Sequence, residues 1–192
     1  MLNKIKALVN NKGIDVNDIT EIQNNQLFIV GNEEYYVLTN EEAQEIYEEM
    51  QREIIEELGL EGFSSWAREE IINNYLDINW FNEGMIEYYQ SYIDDMYEDE
   101  LQEEMDNYEV ENEKELLKCY TNAYNNGLQF FQEMYDEKEL MEIIERKNLL
   151  DIDKVIEYCQ EIDGRGSIIA SYDSEEEIEE VDNIDYYIYR IF

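Results

Sequence analysis

Any helix that forms between Glu33 and Glu113 has to carry its charge as a face of one sign. Those residues include 27 acids and only two bases, Arg52 and Arg68. Ordinary soluble helices mix signs and gain ion pairs between residues four apart. That support is missing here, so the fold must come from apolar positions at regular spacing. After Thr39, residues Ala43, Ile46, Tyr47, Met50, Ile54 and Leu58 recur at helical spacing and predict a buried stripe. Glu41, Glu45, Glu49, Glu53 and Glu56 fall on the other side. Thr39 and Glu42 have the spacing of a capping box, in which each side chain satisfies a free N–H of the first turn. Gly59 is a natural stop.

The same reading extends along the chain. Leu2–Val9 predicts a short helix ended by Asn11–Gly13. Three short strands follow at Asp18–Ile22, Gln26–Val30 and Glu34–Leu38, joined by turns at Asn24-Asn25 and Gly31-Asn32. Ser64 or Ser65 caps a second acidic-region helix through Trp66, Ile71, Ile72 and Tyr75. A longer third one starts at Asn79, with Phe81, Met85, Tyr88, Tyr92 and Met96 as its apolar stripe. Its phase slips at Asp99, which predicts a break near Glu98–Glu100 before a new stripe of Leu101, Met105 and Tyr108. Helical patterns continue over Glu113–Tyr135, Glu137–Asn148 and Asp151–Ile162, with Asp136 and Asp151 as caps. Gly164-Arg165-Gly166 reads as a tight turn from helix to strand. Ser167–Tyr172, Glu177–Val181 and Asp185–Phe192 read as strands. The expected fold class is α+β. It is a single domain of 192 residues in three parts: 1–38 with a short helix and hairpins, 39–163 acidic and helical, and 164–192 forming C-terminal strands that pair with the first part.

The charge is lopsided as well as large. The net charge is −37, yet residues 1–32 balance three acids against three lysines. Solubility needs far less charge, and self-repulsion opposes folding. With 17 Tyr, 6 Phe and 2 Trp, the chain is too aromatic to be a disordered acidic tail. It has no His, which excludes Ser–His and Cys–His nucleophile systems and removes the commonest metal ligand. Cys119 and Cys159 lie among apolar neighbours and read as buried free thiols of a reducing cytoplasm. The N-terminal segment is too short and polar for a secretory signal, and no apolar run reaches membrane-spanning length. A surface this negative would be repelled by anionic lipid. The expected location is the host bacterial cytoplasm.

Spacing gives the charge a use. Carboxylates four residues apart on a helix lie about 6 Å apart along its axis. Phosphates of one DNA strand advance by about 3.4 Å, so a row of acids approximates every second phosphate. The expected function is therefore inhibition of a defence nuclease by nucleic-acid mimicry, blocking a basic groove that binds DNA or RNA. The expected contact residues are Glu41, Glu45, Glu49, Glu53 and Glu56 on the first acidic helix. On and after the third helix they are Glu83, Glu87, Asp94, Asp95, Glu98, Asp99, Glu103, Glu104 and Glu109, with Tyr89 and Tyr97 as aromatic anchors at the stripe edge. Tyr88 and Tyr92 read as core and boundary packing. The expected partner is a nucleic-acid-binding host defence protein, a Cas effector or a restriction enzyme, with no direct binding of nucleic acid or membrane.

Competing readings are blander. A solvated helix face explains any single Glu, and a halophile's surface or a weak calcium sponge would also be acidic. No loop fits the D-x-[DN]-x-[DN]-G pattern of a specific Ca²⁺ site. Asp94-Asp95 and Asp182 with Asp185 are carboxylate pairs, but no nucleophile, phosphate loop or metal motif accompanies them. No catalytic residue, metal or cofactor is expected. The alternative function is a non-enzymatic phage accessory or assembly protein that binds a basic protein partner.

Two segments carry a resemblance. Tyr35–Ala43 and the C-terminal Asp163–Gly166, Ser171–Asp173 and Tyr186–Arg190 resemble a scattered group of small acidic proteins of phages and mobile elements. That group starts LT-[DN]-EEA and ends GRG…SYD…YYIYR. Ser167 and Ser174 stand where the group has His and Gly. The resemblance implies phage origin and no particular chemistry. In general character the chain is similar to DNA-mimicking anti-restriction and anti-CRISPR proteins, which are also small, acidic, folded and phage-borne.

Overall fold

The computed structural model describes residues 1–192 except for the side chain of Glu21. In chain order, α1 (Leu2–Lys12) precedes a hairpin ladder of β1 (Ile19–Gln23), β2 (Leu27–Val30) and β3 (Glu33–Leu38), and α2 (Asn40–Leu58) follows. Then come α3 (Ser65–Asn74), α4 (Ile78–Asp94), α5 (Glu98–Asn107), α6 (Glu113–Thr121), α7 (Gly127–Met134) and α8 (Glu137–Lys147). The chain closes with α9 (Ile152–Asp163), the single turn α10 (Gly166–Ile169), β4 (Glu177–Val181) and β5 (Ile184–Arg190). These elements form two compact units. One joins Met1–Gly62 to Ile152–Phe192, and the other is Phe63–Asp151.

The first unit is built on one antiparallel sheet of order β1-β2-β3-β5-β4. The two ends of the chain meet where β3 pairs with β5, Val37 opposite Ile188 and Leu38 opposite Tyr187. This is the expected α+β arrangement. Asn24 and Asn25 take φ of 50° and 57°, and Asp182-Asn183 take 54° and 61°. Paired positive φ angles match the twist of the two-residue hairpin at Asp182-Asn183 and recur in the three-residue turn 24–26, and Asn and Asp tolerate them best among residues with a Cβ. Strand alternation then sorts the side chains. Tyr35, Val37, Val181, Tyr186 and Ile188 join Ala7 and Leu8 of α1 in one buried cluster. Leu38, Tyr187 and Tyr189 point to the opposite face, which α2 and α10 cover.

α2 starts as the sequence predicts. The Thr39 Oγ1 accepts from the Glu42 N–H, and the Glu42 carboxylate accepts from the Thr39 N–H. Its buried row, however, is Ala43, Tyr47, Gln51 and Ile55, while Ile54 and Leu58 are 36% and 53% exposed. The predicted stripe is thus corrected at Ile54 and Leu58, while Ile46 and Met50 stay half-buried beside the row. Helices that pack through ridges bury residues four apart, and such a row drifts round the axis away from a mixed three-and-four spacing.

Two other expectations are corrected. Ser167–Tyr172 is no strand. Ile169 and Ala170 donate helical hydrogen bonds to the carbonyls of Arg165 and Gly166, which makes α10. Gly166 explains the choice, since a Cβ there would lie 2.6 Å from the Ser174 carbonyl oxygen. Gly164, at φ +71°, supplies the turn out of α9. Nor is Glu113–Tyr135 one helix. It divides into α6 and α7, because the Asn126 side chain accepts from the Gln129 N–H and so caps a new start.

The second unit is all helical. Its C-terminal end is tied to the link between α3 and α4 by backbone hydrogen bonds, Asp77 to Leu149 and Asp151 to Tyr75, each 2.9 Å. α4 begins at Ile78 with the Asp77 side chain accepting from Asn79 N–H. It stops at Asp94, and the break at Asp95–Tyr97 falls just ahead of the predicted Glu98–Glu100. The buried row on α4 is Phe81, Met85 and Ile93, again at multiples of four, against α6 and α7. Leu116, Leu128, Phe130 and Phe131 complete this core.

Candidate functional site

The acidic rows follow from the buried ones. Glu41, Glu45, Glu49 and Glu53 are each two residues from Ala43, Tyr47, Gln51 or Ile55. Two residues are 200° on a helix, so the carboxylates stand opposite the core. All four are exposed, as is Glu56. On α4, Glu83 and Glu87 stand in the same relation to Phe81 and Met85 and are also exposed. Asp94 and Asp95 close the helix, and Glu98, Asp99, Glu103 and Glu109 continue on and beyond α5, all exposed. Glu104 is half-buried and accepts a 2.6 Å hydrogen bond from the Tyr120 hydroxyl.

Charge balance separates these acids from the others. The ion pairs of the described residues engage Glu33, Glu42, Asp153, Glu176 and Glu177 in the first unit, and Glu137 and Glu142 in the second. Asp182 meets Lys6 at 3.5 Å. None of the fourteen acids in the predicted interface is among them. From Glu69 to Glu113 there are 16 carboxylates and no basic residue. Two unit charges 6 Å apart in water repel by about 0.7 kcal/mol, and 0.1 M salt screens charges over about 10 Å. Raising NaCl from 10 mM to 500 mM should therefore raise the melting midpoint by roughly 3–6 °C, the equivalent of about 1–2 kcal/mol in a chain of this size. A midpoint that ignores ionic strength in differential scanning calorimetry would contradict the unpaired rows.

The tyrosines are distributed differently from the expectation. Tyr97 is 79% exposed at the break between α4 and α5. Tyr89 is half-buried, with its ring stacked on Tyr120 at 5.1 Å and its hydroxyl 3.3 Å from that of Tyr124. Burial, followed by the contact with Tyr124, pushes its hydroxyl pKa up. It braces α4 against α6, and little of its ring faces outward. Tyr88 and Tyr92, read as core and boundary packing, are 46% and 50% exposed. The reason is the same four-residue row, which turns Tyr89 inward and leaves the residues beside it at the edge of α7. With Phe130, Met134 and Tyr135 they line a groove of about 510 Å³. A second cleft of about 390 Å³, between Tyr92, Met96 and α5, shares Tyr92 and Asp95 with it and adds Glu100, Glu103 and Glu104.

The carboxylate pairs have structural explanations. Asp182 sits in the β4–β5 turn, and Asp94 accepts from the Gln90 side chain at 2.8 Å. Among the described residues no group of three or more His, Cys, Asp or Glu is placed to hold a metal ion. Cys159 is buried, and burial pushes its thiol up to about 11; Cys119 is half-buried, and both are free. No helix of the described residues is long and apolar enough to cross a membrane.

Sequence reasoning missed what the GRG…SYD…YYIYR residues do. Arg165 is buried, with Nε and Nη2 on Glu176 at 3.0 and 3.3 Å and Nη1 on the Asn40 side chain at 3.0 Å. Its guanidinium lies 4.4 Å over the Tyr187 ring, and the Tyr189 hydroxyl donates to Glu176. Arg190 lies 3.9 Å over Tyr172 and pairs with Glu33. The motif is a set of arginines, each held between a tyrosine face and a carboxylate. A lone basic residue within an acidic, tyrosine-rich segment was the available signal. No family model, curated protein or solved structure matches the chain.

Proposed function

We propose that this protein is a phage-borne inhibitor of a bacterial defence nuclease, an anti-CRISPR or anti-restriction protein, that acts as a nucleic-acid mimic. The observation that supports the reading is the pair of acidic rows on α2 and along α4–α5, exposed and without ion-pair partners. A row spaced at about 6 Å meets lysines and arginines arranged to contact alternate phosphates. Its own backbone never has to be deformed, and association is steered by the long-range field. Inhibition is then stoichiometric, and DNA or RNA competes with it. The host cytoplasm is where such a target lies, and no cofactor is needed.

Charge reversal tests the proposal row by row. Glu41, Glu45, Glu49 and Glu53 are replaced together by Lys in one variant, and Glu83, Glu87, Asp94 and Asp95 in another. Four lost contacts of about 0.7 kcal/mol each correspond to roughly a 100-fold weaker complex. At least one variant should lose that much affinity while keeping its far-ultraviolet circular dichroism. The target comes from capture out of host lysate at low and high salt, followed by elution with DNA or RNA. Recovery of Cas or restriction subunits displaced by nucleic acid supports mimicry. Recovery of virion components would replace it with the accessory-protein role, and full affinity in both reversal variants would remove these rows from the interface.

A further inference from the structure

The groove beside α4 adds a second, non-electrostatic element to the acidic surface. Tyr88, Tyr92, Phe130, Met134 and Tyr135 give it an aromatic lining, and Glu87 and Asp95 stand in its wall. Tyr92 and Asp95 are three residues apart at the end of α4, which puts them on one side of the helix. No basic residue lines it or the adjoining cleft of Glu100, Glu103 and Glu104. Three cations of this same chain lie over a tyrosine face and pair with a carboxylate, and the two nearest their rings are arginines. Arg165 lies over Tyr187 and pairs with Glu176, and Arg190 lies over Tyr172 and pairs with Glu33. In both the guanidinium carbon lies over the ring, at 4.4 and 3.9 Å, while the N–H groups reach the acid. Lys12 also sits over a tyrosine, Tyr35 at 5.3 Å, and pairs with Glu177 at 2.7 Å, but its hydrated ammonium stands farther from the ring and has no plane to lay on it.

We infer that the groove between α4 and α7 docks arginine side chains of a protein partner, stacked on Tyr88 and Tyr92 and paired with Glu87 and Asp95. Charge complementarity selects the occupant. Nucleic acid and anionic lipid are repelled by the rim, and an uncharged apolar segment would leave the rim carboxylates desolvated without a partner. The inference rests on the mimicry reading and sharpens it. A surface that only imitates phosphates accepts lysine and arginine about equally, whereas this one distinguishes them.

Binding of fluorescein-labelled deca-arginine and deca-lysine to the full chain, by anisotropy at 150 mM NaCl, separates the two ideas. The wild-type protein should bind deca-arginine about tenfold or more tightly than deca-lysine. Tyr88→Leu/Tyr92→Leu should cut that ratio to about two, with deca-lysine affinity unchanged. Both tyrosines are half-exposed, so the double variant should fold, and its circular dichroism and melting midpoint serve as the check. Should that variant melt early, Glu87→Gln/Asp95→Asn gives the same readout with the rings in place. Comparable affinity of the wild type for the two peptides, or a ratio that survives in the folded variant, overturns the groove and leaves mimicry by the acidic rows intact. Failure to bind either peptide overturns the groove and also removes the cationic complementarity that mimicry requires.

Discussion

Gly127→Ala is expected to destabilise the helical unit Phe63–Asp151 by about 3 kcal/mol or more, the upper end of overpacking costs. A methyl group there would sit 2.1 Å from the Phe81 carbonyl oxygen and 2.5 Å from the Asn82 amide nitrogen. Both neighbours are backbone, so no side chain can swing aside. Relief requires α4 and α7 to part by more than an ångström, and the Phe81–Phe131 edge-to-face contact at 5.3 Å would open with them. The 2.7 Å bond from the Gly127 N–H to the Asn82 side chain would be lost as well. Gly13→Ala is the control. Gly13 has a left-handed φ of 65° with nothing within 4 Å of the added carbon, so it should cost only about 1 kcal/mol. Urea unfolding followed by tryptophan fluorescence measures Gly127→Ala, since Trp66 and Trp80 lie in the affected unit, and far-ultraviolet circular dichroism follows Gly13→Ala in the other unit. Equal midpoints for Gly127→Ala and wild type would mean that α4 and α7 do not approach as described.

The second large effect is expected at Arg165. Burial alone would lower its pKa, but Glu176 outweighs burial and holds the charge in place. Arg165→Met would leave the half-buried Glu176 with only the Tyr189 hydroxyl as partner and strip the Asn40 side chain of its donor. The Glu176 side chain keeps 26% exposure, so the loss falls below the roughly 3–5 kcal/mol of a fully buried pair, at about 2–3 kcal/mol. Arg165→Lys should recover little, because one ammonium cannot serve Glu176 and Asn40 while stacking on Tyr187. The diagnostic comparison is Arg165→Met/Glu176→Gln, which should be more stable than Arg165→Met because no unpaired charge remains. If the double variant unfolds at lower urea than the single one, uncompensated charge is not the cause of the loss.

What the sequence made legible was local. The Thr39–Glu42 box and the Asp136 cap each need only residues three apart, and both formed. The strand-like character of Asp185–Phe192 was strong enough to place β5, and Asn24-Asn25 marked a hairpin through backbone angles few residues tolerate, whereas the Asp182-Asn183 turn was not read. What failed depended on neighbours distant in the chain. Ser167–Ala170 has the apolar content of a strand, but the close approach of Ser174 to Gly166 and the burial of Arg165 decide for a helical turn. Which of Ile54 and Ile55 is buried, and which of Tyr88 and Tyr89, depends on the row a facing helix occupies. One residue's difference moves a side chain by 100°. The acidic faces were readable for the converse reason. Exposure needs no particular neighbour, so thirteen of the fourteen predicted acids are exposed without any tertiary information. The groove was not readable, because it exists only where α7 returns to α4.

The placement of β5 between β3 and β4 has a consequence for the growing chain. As a ribosome extrudes it, β3 emerges early, and residues 39–183 must follow before its partner arrives. Throughout that interval the hairpin ladder presents an open row of amide and carbonyl groups, the usual template for mispairing between chains. The helical unit is contiguous and can close within that interval. Each nascent copy meanwhile bears the same dense negative charge, and mutual repulsion keeps neighbours on a polysome from joining at that edge. On this view the acidity that crowds the finished molecule also guards its assembly.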